Sequence, residues 1–190
     1  MVDFRDDIKN ALEVLRAGGT ILYPTDTVWG IGCDATSPEA VQRVLDIKKR
    51  SAEKSMLVLL ENPNNILSYI NDMPDVAWDI IDFAEKPTTI IYDGAKNLAP
   101  NLIAKDGNIG IRITSEAFTQ HLLQRFRKPI VSTSANISGQ PCPTNFDDID
   151  EEIKSKVDYI VKYRQDEIQN PVPSSIIKLG STGLIKILRK

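Results

Sequence analysis

The chain has 190 residues, of which 42% are hydrophobic and 26% charged. This composition is typical of a globular protein and excludes a disordered or fibrous one. The net charge of −3 argues against a protein that coats nucleic acid by bulk positive charge, but it leaves room for a local basic patch. No apolar run approaches the roughly 18 residues of a membrane span, and residues 1–7 lack the apolar core of a signal peptide. We therefore expect a single cytoplasmic domain over residues 1–190, with no membrane partner.

Helices and strands alternate along the predicted chain. A first helix has Asp3 as candidate cap and ends at Gly18-Gly19, and a second begins at Ser37-Pro38 and runs to about Lys48. Further helices are predicted at 63–71, 75–85, 115–126 and 147–156, strands at 20–23, 55–60, 88–92, 108–113, 129–132 and 158–161, and a terminal hairpin at 174–179 and 184–188. This order predicts an α/β domain with a mixed sheet.

One segment imitates a dinucleotide-binding fingerprint. Residues 30–35 read G-x-G-x-x-A, but that fingerprint must turn directly from a strand into a helix, so that the helix N-terminus meets the pyrophosphate. Here residues 24–29 separate it from the preceding strand, and the next helix begins only at Pro38. The chain also lacks a Walker A sequence, so a nucleotide site has to be built differently.

Two sets of cations are candidate anion ligands. Lys48 falls on the apolar side of the second helix, where a buried ammonium needs a partner, and an anion held with Arg50 and Lys54 would provide one. Cations near a helix C-terminus also complement the helix dipole without any ligand. Arg112 lies in a predicted strand on the same face as Asn108, either exposed on a half-buried strand or placed to clamp a carboxylate.

Two hydroxyl-rich segments follow strands. Residues 23–30 fit a turn and a ligand-binding loop about equally well. Residues 132–139 carry hydroxyls, a carboxamide and backbone N–H groups directly after a strand, which favours a phosphate cradle over a polar turn.

Covalent and metal chemistry have little support in the sequence. His121 is the only histidine and lies beside leucines in a helical segment, so a Ser-His-Asp triad is not expected. Cys33 and Cys142 lack CxxC spacing, which argues against zinc and favours two reduced thiols. We expect a site that acts by positioning and electrostatics.

The motifs together resemble those of the YrdC-like threonylcarbamoyl-AMP synthases. They are Y-P-T-D-T-x-W-G at 23–30, K-x-R at 48–50, the Arg112 strand, S-x-N-x-S-G at 134–139, P-S-S at 173–175 and Leu188-Arg189, in the family's order. The resemblance implies the fold of the short bacterial form, a single-domain twisted open mixed β-sheet with flanking helices.

The family makes L-threonylcarbamoyladenylate and pyrophosphate from L-threonine, bicarbonate and ATP, with Mg²⁺ held mainly through the ATP phosphates. The product is used by a threonylcarbamoyl-transferase complex for t6A modification of tRNAs that read ANN codons. The resemblance implies that Lys48 and Arg50 are catalytic. It implies threonine contacts at Thr27, Arg112, Ser132 and Ser174, and ATP contacts at Arg50, Lys54, Asn108, Ser134, Asn136, Cys142 and Arg189.

Some positions depart from the family pattern. Residues 85–87 read Glu-Lys-Pro where Pro-Gly-Pro is frequent, Trp29 replaces a tyrosine, and Ser175 replaces a threonine. A contact at Cys142 is assigned to its backbone. The runner-up function is a non-catalytic module of the same fold that binds double-stranded RNA. A carbamoyl-transfer domain of hydrogenase maturation is a third reading, but such domains sit in much longer chains. A paralogous group lacks K-x-R and S-x-N, and the presence of both here favours the synthase.

Overall fold

The computed structural model describes residues 3–51, 56–168, 172–180 and 184–190. Its helices are α1 (Arg5–Arg16), α2 (Pro38–Ile47), α3 (Val76–Asp82), α4 (Ala117–Phe126) and α5 (Glu151–Lys154), with a 3-10 helix at Pro63–Ser68. Its strands are β1 (Ile21–Tyr23), β2 (Gly30–Gly32), β3 (Leu57–Leu60), β4 (Thr88–Tyr92), β5 (Ile109–Ile113), β6 (Ile130–Ser134), β7 (Tyr159–Ile160), β8 (Ser175–Leu179) and β9 (Ile185–Arg189). The predicted site residue Lys54 and the hairpin turn at 181–183 lie outside the described residues.

The strands form one mixed sheet in the order β7-β1-β2-β6-β3-β5-β4-β8-β9. The pairs β7/β1, β3/β5 and β4/β8 are parallel, and the other neighbours are antiparallel. The predicted α/β class and twisted open mixed sheet are confirmed, as is the terminal hairpin β8/β9. In the part of the chain that the structure describes, no helix is long and apolar enough to cross a membrane.

The helix ends follow the local sequence signals in most places. Ser37 caps α2 by accepting from the Ala40 N–H at 3.2 Å. Gly18 adopts a left-handed φ of 77° and ends α1 as predicted. Asp3 does not cap α1, because the cap position is Phe4, and Asp3 bonds instead to the backbone and side chain of Arg5.

Several predicted elements differ in extent or kind. The helix predicted at 63–71 is a short 3-10 helix, and those at 75–85 and 147–156 shrink to α3 and α5. β2 was not predicted at all, because its two glycines resemble a turn. Since residues 30–32 are a strand paired to β1 and β6, the G-x-G letters cannot open a nucleotide-binding helix here.

The two faces of the sheet are covered differently. One face packs its apolar residues against α2, among them Leu22, Ile31, Val58, Ile111 and Val131. The other face packs against α1 and α4 through Ile21, Tyr23, Leu59 and Ile130. Strand alternation and register extend this second face from Ile130 to Ser132, Ser134, Gly110 and Arg112. These residues lie beyond the part that α1 and α4 cover.

Asp7 ties α1 to the β7 end of the sheet, and its replacement should destabilise the fold. Its buried carboxylate accepts from the Tyr159 hydroxyl at 2.6 Å and from the backbone N–H groups of Lys162 and Tyr163. We expect Asp7→Ala to lower the free energy of unfolding by about 2–4 kcal/mol, because it leaves three partly buried donors unpaired. Urea unfolding would measure this, with the exposed neighbour Asp6→Ala as control. A loss equal to that of Asp6→Ala would contradict the assignment.

Candidate active site

A cavity of about 280 Å³ opens over the uncovered part of the second sheet face. Eight of the twelve residues predicted for catalysis or ligand binding line it: Thr27, Arg50, Arg112, Ser132, Ser134, Cys142, Ser174 and Arg189. Val28, Gly30, Met56, Leu57, Thr133, Pro173 and Ile176 complete the described lining. The structure therefore brings together segments from both ends of the chain, and we call this space the arginine cavity.

The arginine cavity is a site for anions. Three arginines and five hydroxyl-bearing residues line it, and no carboxylate does so among the described residues. Burial lowers the pKa of Arg50 and of Arg112, although both stay charged at neutral pH because arginine titrates so high. Guanidinium groups suit planar pairs of carboxylate or phosphate oxygens.

Arg112 is buried, which rules out the reading of an exposed residue on a half-buried strand. A nitrogen of its guanidinium lies 2.9 Å from an Asp26 oxygen, and the two side chains are only 3% and 6% exposed. Neither Asp26 oxygen nor the Arg112 Nε has a hydrogen-bond partner in the described residues, so the pair is an ion pair without an aligned hydrogen bond. Arg112 thus keeps donor capacity for a ligand carboxylate.

The two hydroxyls beside Arg112 come from distant segments. Ser174 and Thr89 are hydrogen-bonded to each other at 2.9 Å, and Thr89 is the register partner of Arg112. Arg189 donates to the Ser174 carbonyl at 2.8 Å and to its hydroxyl at 3.2 Å. Thr89 was not predicted as a site residue. The only sign in the sequence was a threonine within a predicted buried strand. Only the pairing of β4 with β5 shows that this threonine lies beside Arg112.

The loop between β1 and β2 is held rigidly. Thr25 donates to the Val28 carbonyl at 2.7 Å and accepts from the Thr27 N–H, and the Arg164 guanidinium donates to the Thr25 carbonyl. Thr27 reaches the arginine cavity, so this segment is both a turn and a part of the cavity wall. Its aromatic Trp29 is a core residue that packs on Phe146, with ring centres 5.0 Å apart.

The K-x-R segment ends α2 in a Schellman motif. The N–H of Arg50 donates to the Leu45 carbonyl and that of Lys49 to the Asp46 carbonyl, with Lys49 in the left-handed region at φ 50°. This turn sends the two flanking side chains to different places. Arg50 lines the arginine cavity, whereas Lys48 is 1% exposed and lies behind the cavity wall.

The partner of Lys48 is the protein, where an anion was expected. Its ammonium donates to the carbonyl oxygens of Ser134 and of Asn136, the latter at 2.7 Å, with the Asn136 Oδ1 at 3.4 Å. Burial lowers the pKa of Lys48 to about 8, and the charge of Arg50 adds to this effect. The segment after β6 is equally occupied, because the N–H groups of Ala135, Asn136 and Ser138 donate to protein carbonyls. These three N–H groups are not free for a ligand, whereas the Ser134 side chain lines the cavity. The phosphate cradle over residues 132–139 stays a prediction.

Asn108 and Asn136 do not line the arginine cavity. Asn108 precedes β5, about 13 Å along the strand from Arg112, and its amide donates to Asp106 at 2.5 Å. The Asn136 amide donates to the Gln140 carbonyl at 2.7 Å. Their ATP contacts stay predictions.

The thiols and the histidine take no reactive arrangement. Cys33 and Cys142 are both free, and burial raises the pKa of the Cys142 thiol, which is therefore uncharged at neutral pH. His121 is exposed on α4 and contacts the Phe4 ring, as expected for a structural position. No cluster of three metal-binding side chains occurs in the described ranges.

A second cavity, of about 320 Å³, is larger but chemically less suited. It lies against the α2-side face of the sheet, and its lining combines five isoleucines, among them Ile90 and Ile111, with the charged residues Asp26, Glu85 and Lys86. No arginine and none of the twelve predicted residues line it. The arginine cavity is therefore the better candidate for a phosphate-bearing substrate.

Comparison with known proteins decides the family. The model of the Sua5/YciO/YrdC family, described as "Telomere recombination", matches residues 13–190. The chain belongs to the Sua5/YciO/YrdC family. Members similar to it include the threonylcarbamoyl-AMP synthase of Pseudoalteromonas translucida, 34% identical over 157 residues, with 81% of this chain and 84% of that protein covered. The threonylcarbamoyl-AMP synthase of Escherichia coli K12 is 35% identical over 145 residues, covering 74% of this chain and 76% of that protein.

Among solved structures of the family, that of Pyrococcus abyssi Sua5 complexed with L-threonine superimposes with a TM-score of 0.89. Its identity is 24%, so the likeness shows the Sua5/YciO/YrdC fold alone. All of this chain is covered, but the chain spans only 55% of that Sua5 chain.

Proposed function

We propose that the protein is an L-threonylcarbamoyladenylate synthase, a nucleotidyltransferase that converts L-threonine, bicarbonate and ATP into threonylcarbamoyl-AMP and pyrophosphate. The observation that carries the proposal is the arginine cavity, which has three guanidinium groups and no carboxylate in its described lining. The two relatives carry the name of this activity, and the Sua5 structure was solved with threonine.

The residue roles that the resemblance implies divide the cavity lining between the two larger substrates. Arg112, with Thr27, Ser132 and Ser174 around it, would hold the threonine carboxylate and hydroxyl. Arg50, Arg189 and the Ser134 hydroxyl would face the nucleotide phosphates. The threonine amine and bicarbonate give a carbamate and water, the carbamate oxygen attacks the α-phosphorus, and the bond to the β-phosphate oxygen breaks to release pyrophosphate. Charge develops only on oxygens, so fixed cations supply the catalysis and no protein nucleophile is required.

Magnesium would enter with ATP. The described lining of the arginine cavity supplies no carboxylate for a hard divalent cation, which fits a metal carried by the phosphates. The product would pass to a threonylcarbamoyl-transferase complex that modifies tRNAs reading ANN codons, in the cytoplasm.

Pyrophosphate release tests the proposal directly. The purified protein with ATP, magnesium, bicarbonate and threonine should release pyrophosphate and form the acyl-adenylate. Omission of threonine should abolish both signals. Release that does not depend on threonine would contradict the synthase, and no release at all would favour the RNA-binding module.

A further inference from the structure

Lys48 uses its whole hydrogen-bonding capacity within the protein. An ammonium has three N–H donors, and the Lys48 ammonium faces three acceptors: the carbonyls of Ser134 and Asn136 and the Asn136 side-chain oxygen. Its side chain is among the largest fully buried ones and does not line the arginine cavity. No donor is left over for a phosphate.

The acceptors of Lys48 belong to a loop that reaches the nucleotide side of the cavity. The Ser134 hydroxyl donates to the Asn136 Oδ1 at 2.5 Å, and the Asn136 amide donates onward to the Gln140 carbonyl. The Lys48 carbonyl in turn accepts from the Ser138 N–H at 2.8 Å. Lys48 therefore binds the loop 134–140 through both its side chain and its backbone.

The other end of this connection is rigid. Lys48 is the C-cap residue of α2, and the Schellman motif at this position fixes its backbone against the helix. α2 packs its apolar residues Val41, Val44 and Leu45 into the core. The loop 134–140 is thus bonded, through the side chain and the carbonyl of Lys48, to the end of a helix that is packed into the core.

We infer that Lys48 is a positioning residue, which holds the Ser134 hydroxyl in place for the nucleotide and makes no contact with phosphate itself. This inference rests on the proposed function, because it takes ATP as the ligand. It separates the two cations of the K-x-R motif: Arg50 faces the phosphates and Lys48 builds the wall behind them.

A double-mutant cycle of Lys48 and Asn136 tests the inference. Lys48→Met and Asn136→Ala should each weaken ATP binding, measured by calorimetry, by roughly 10- to 100-fold, and the double variant should be no weaker than the worse single variant. Threonine affinity should change less than about threefold in each variant, because Arg112 is not bonded to this loop. The matched control is Lys49→Met, whose lysine is exposed and paired with Glu152. Losses that multiply in the double variant would mean that Lys48 acts on ATP independently of the loop, which overturns the inference.

The wild-type protein gives a second test that does not depend on the folding of Lys48→Met. With ¹⁵N-labelled lysine, the buried Lys48 ammonium should give an NMR signal without ligand, and addition of a non-hydrolysable ATP analogue should leave it without scalar coupling to ³¹P. A ¹⁵N–³¹P coupling at Lys48 would show a direct phosphate contact and overturn the inference. If the analogue changed no lysine signal at all, the protein would not bind ATP, and this would instead contradict the proposed function.

Discussion

Replacement of Arg112 by glutamine should raise the KM for threonine by about 100-fold or more. The substitution removes the guanidinium that would pair with the threonine carboxylate in a site shielded from water. Arg112 is the arginine of the cavity that lies deepest, and its Nε has no partner among the described residues. The KM for ATP should change far less, because Arg50 and Arg189 remain. Steady-state pyrophosphate release with each substrate varied in turn would measure both values.

Arg112→Gln also has a cost in stability that must be separated from the loss of binding. It leaves the Asp26 carboxylate, 6% exposed, without its described counter-charge, which is expected to cost about 3–5 kcal/mol. The double variant Asp26→Asn/Arg112→Gln removes both charges and should recover most of that stability in urea unfolding. It should not recover threonine binding. A threonine KM within threefold of wild type in the double variant would show that Arg112 does not hold the carboxylate.

Local sequence signals explain the elements but not the partners of the site residues. Alternation within β5 correctly set Arg112 opposite the isoleucines and put Asn108 on the same face, but it did not show at which end of the strand the cavity opens. The helical phase of Lys48 correctly predicted that it points inward. Its partner is a carbonyl 86 residues later in the chain, and no local pattern predicts such a contact.

Strand order is the information that the sequence lacks. Ser174 meets Thr89 across 85 residues because β8 runs parallel beside β4, and Arg189 reaches Ser174 because β9 folds back on β8. The family resemblance supplied this grouping indirectly, by placing Thr27, Arg112, Ser132 and Ser174 around one ligand. The cavity lining brings all four together, whereas Thr89 and the Asp26 pair appear only once the strands are assembled.

Arg50 should contribute the largest part of nucleotide recognition. Arg50→Met removes the fork of donors that faces the proposed phosphate position, and kcat/KM for ATP should fall by about 100-fold or more, as expected for the loss of a preorganised donor to a charged oxygen. Arg50→Lys keeps the charge but loses the planar fork, so its loss should be smaller yet measurable.

Arg43, which lies within α2, provides a matched control for the Arg50 variants. Arg43 pairs with Asp158 at 2.7 Å on the protein surface, so Arg43→Met removes the same charge without touching the arginine cavity and should leave kcat/KM within about twofold. If Arg50→Met behaved like Arg43→Met, the phosphates would have to bind elsewhere. If Arg50→Lys lowered kcat/KM for ATP as much as Arg50→Met does, the geometry of the side chain would matter more than its charge. The phosphate would then have to accept two parallel N–H bonds from Arg50 in the transition state.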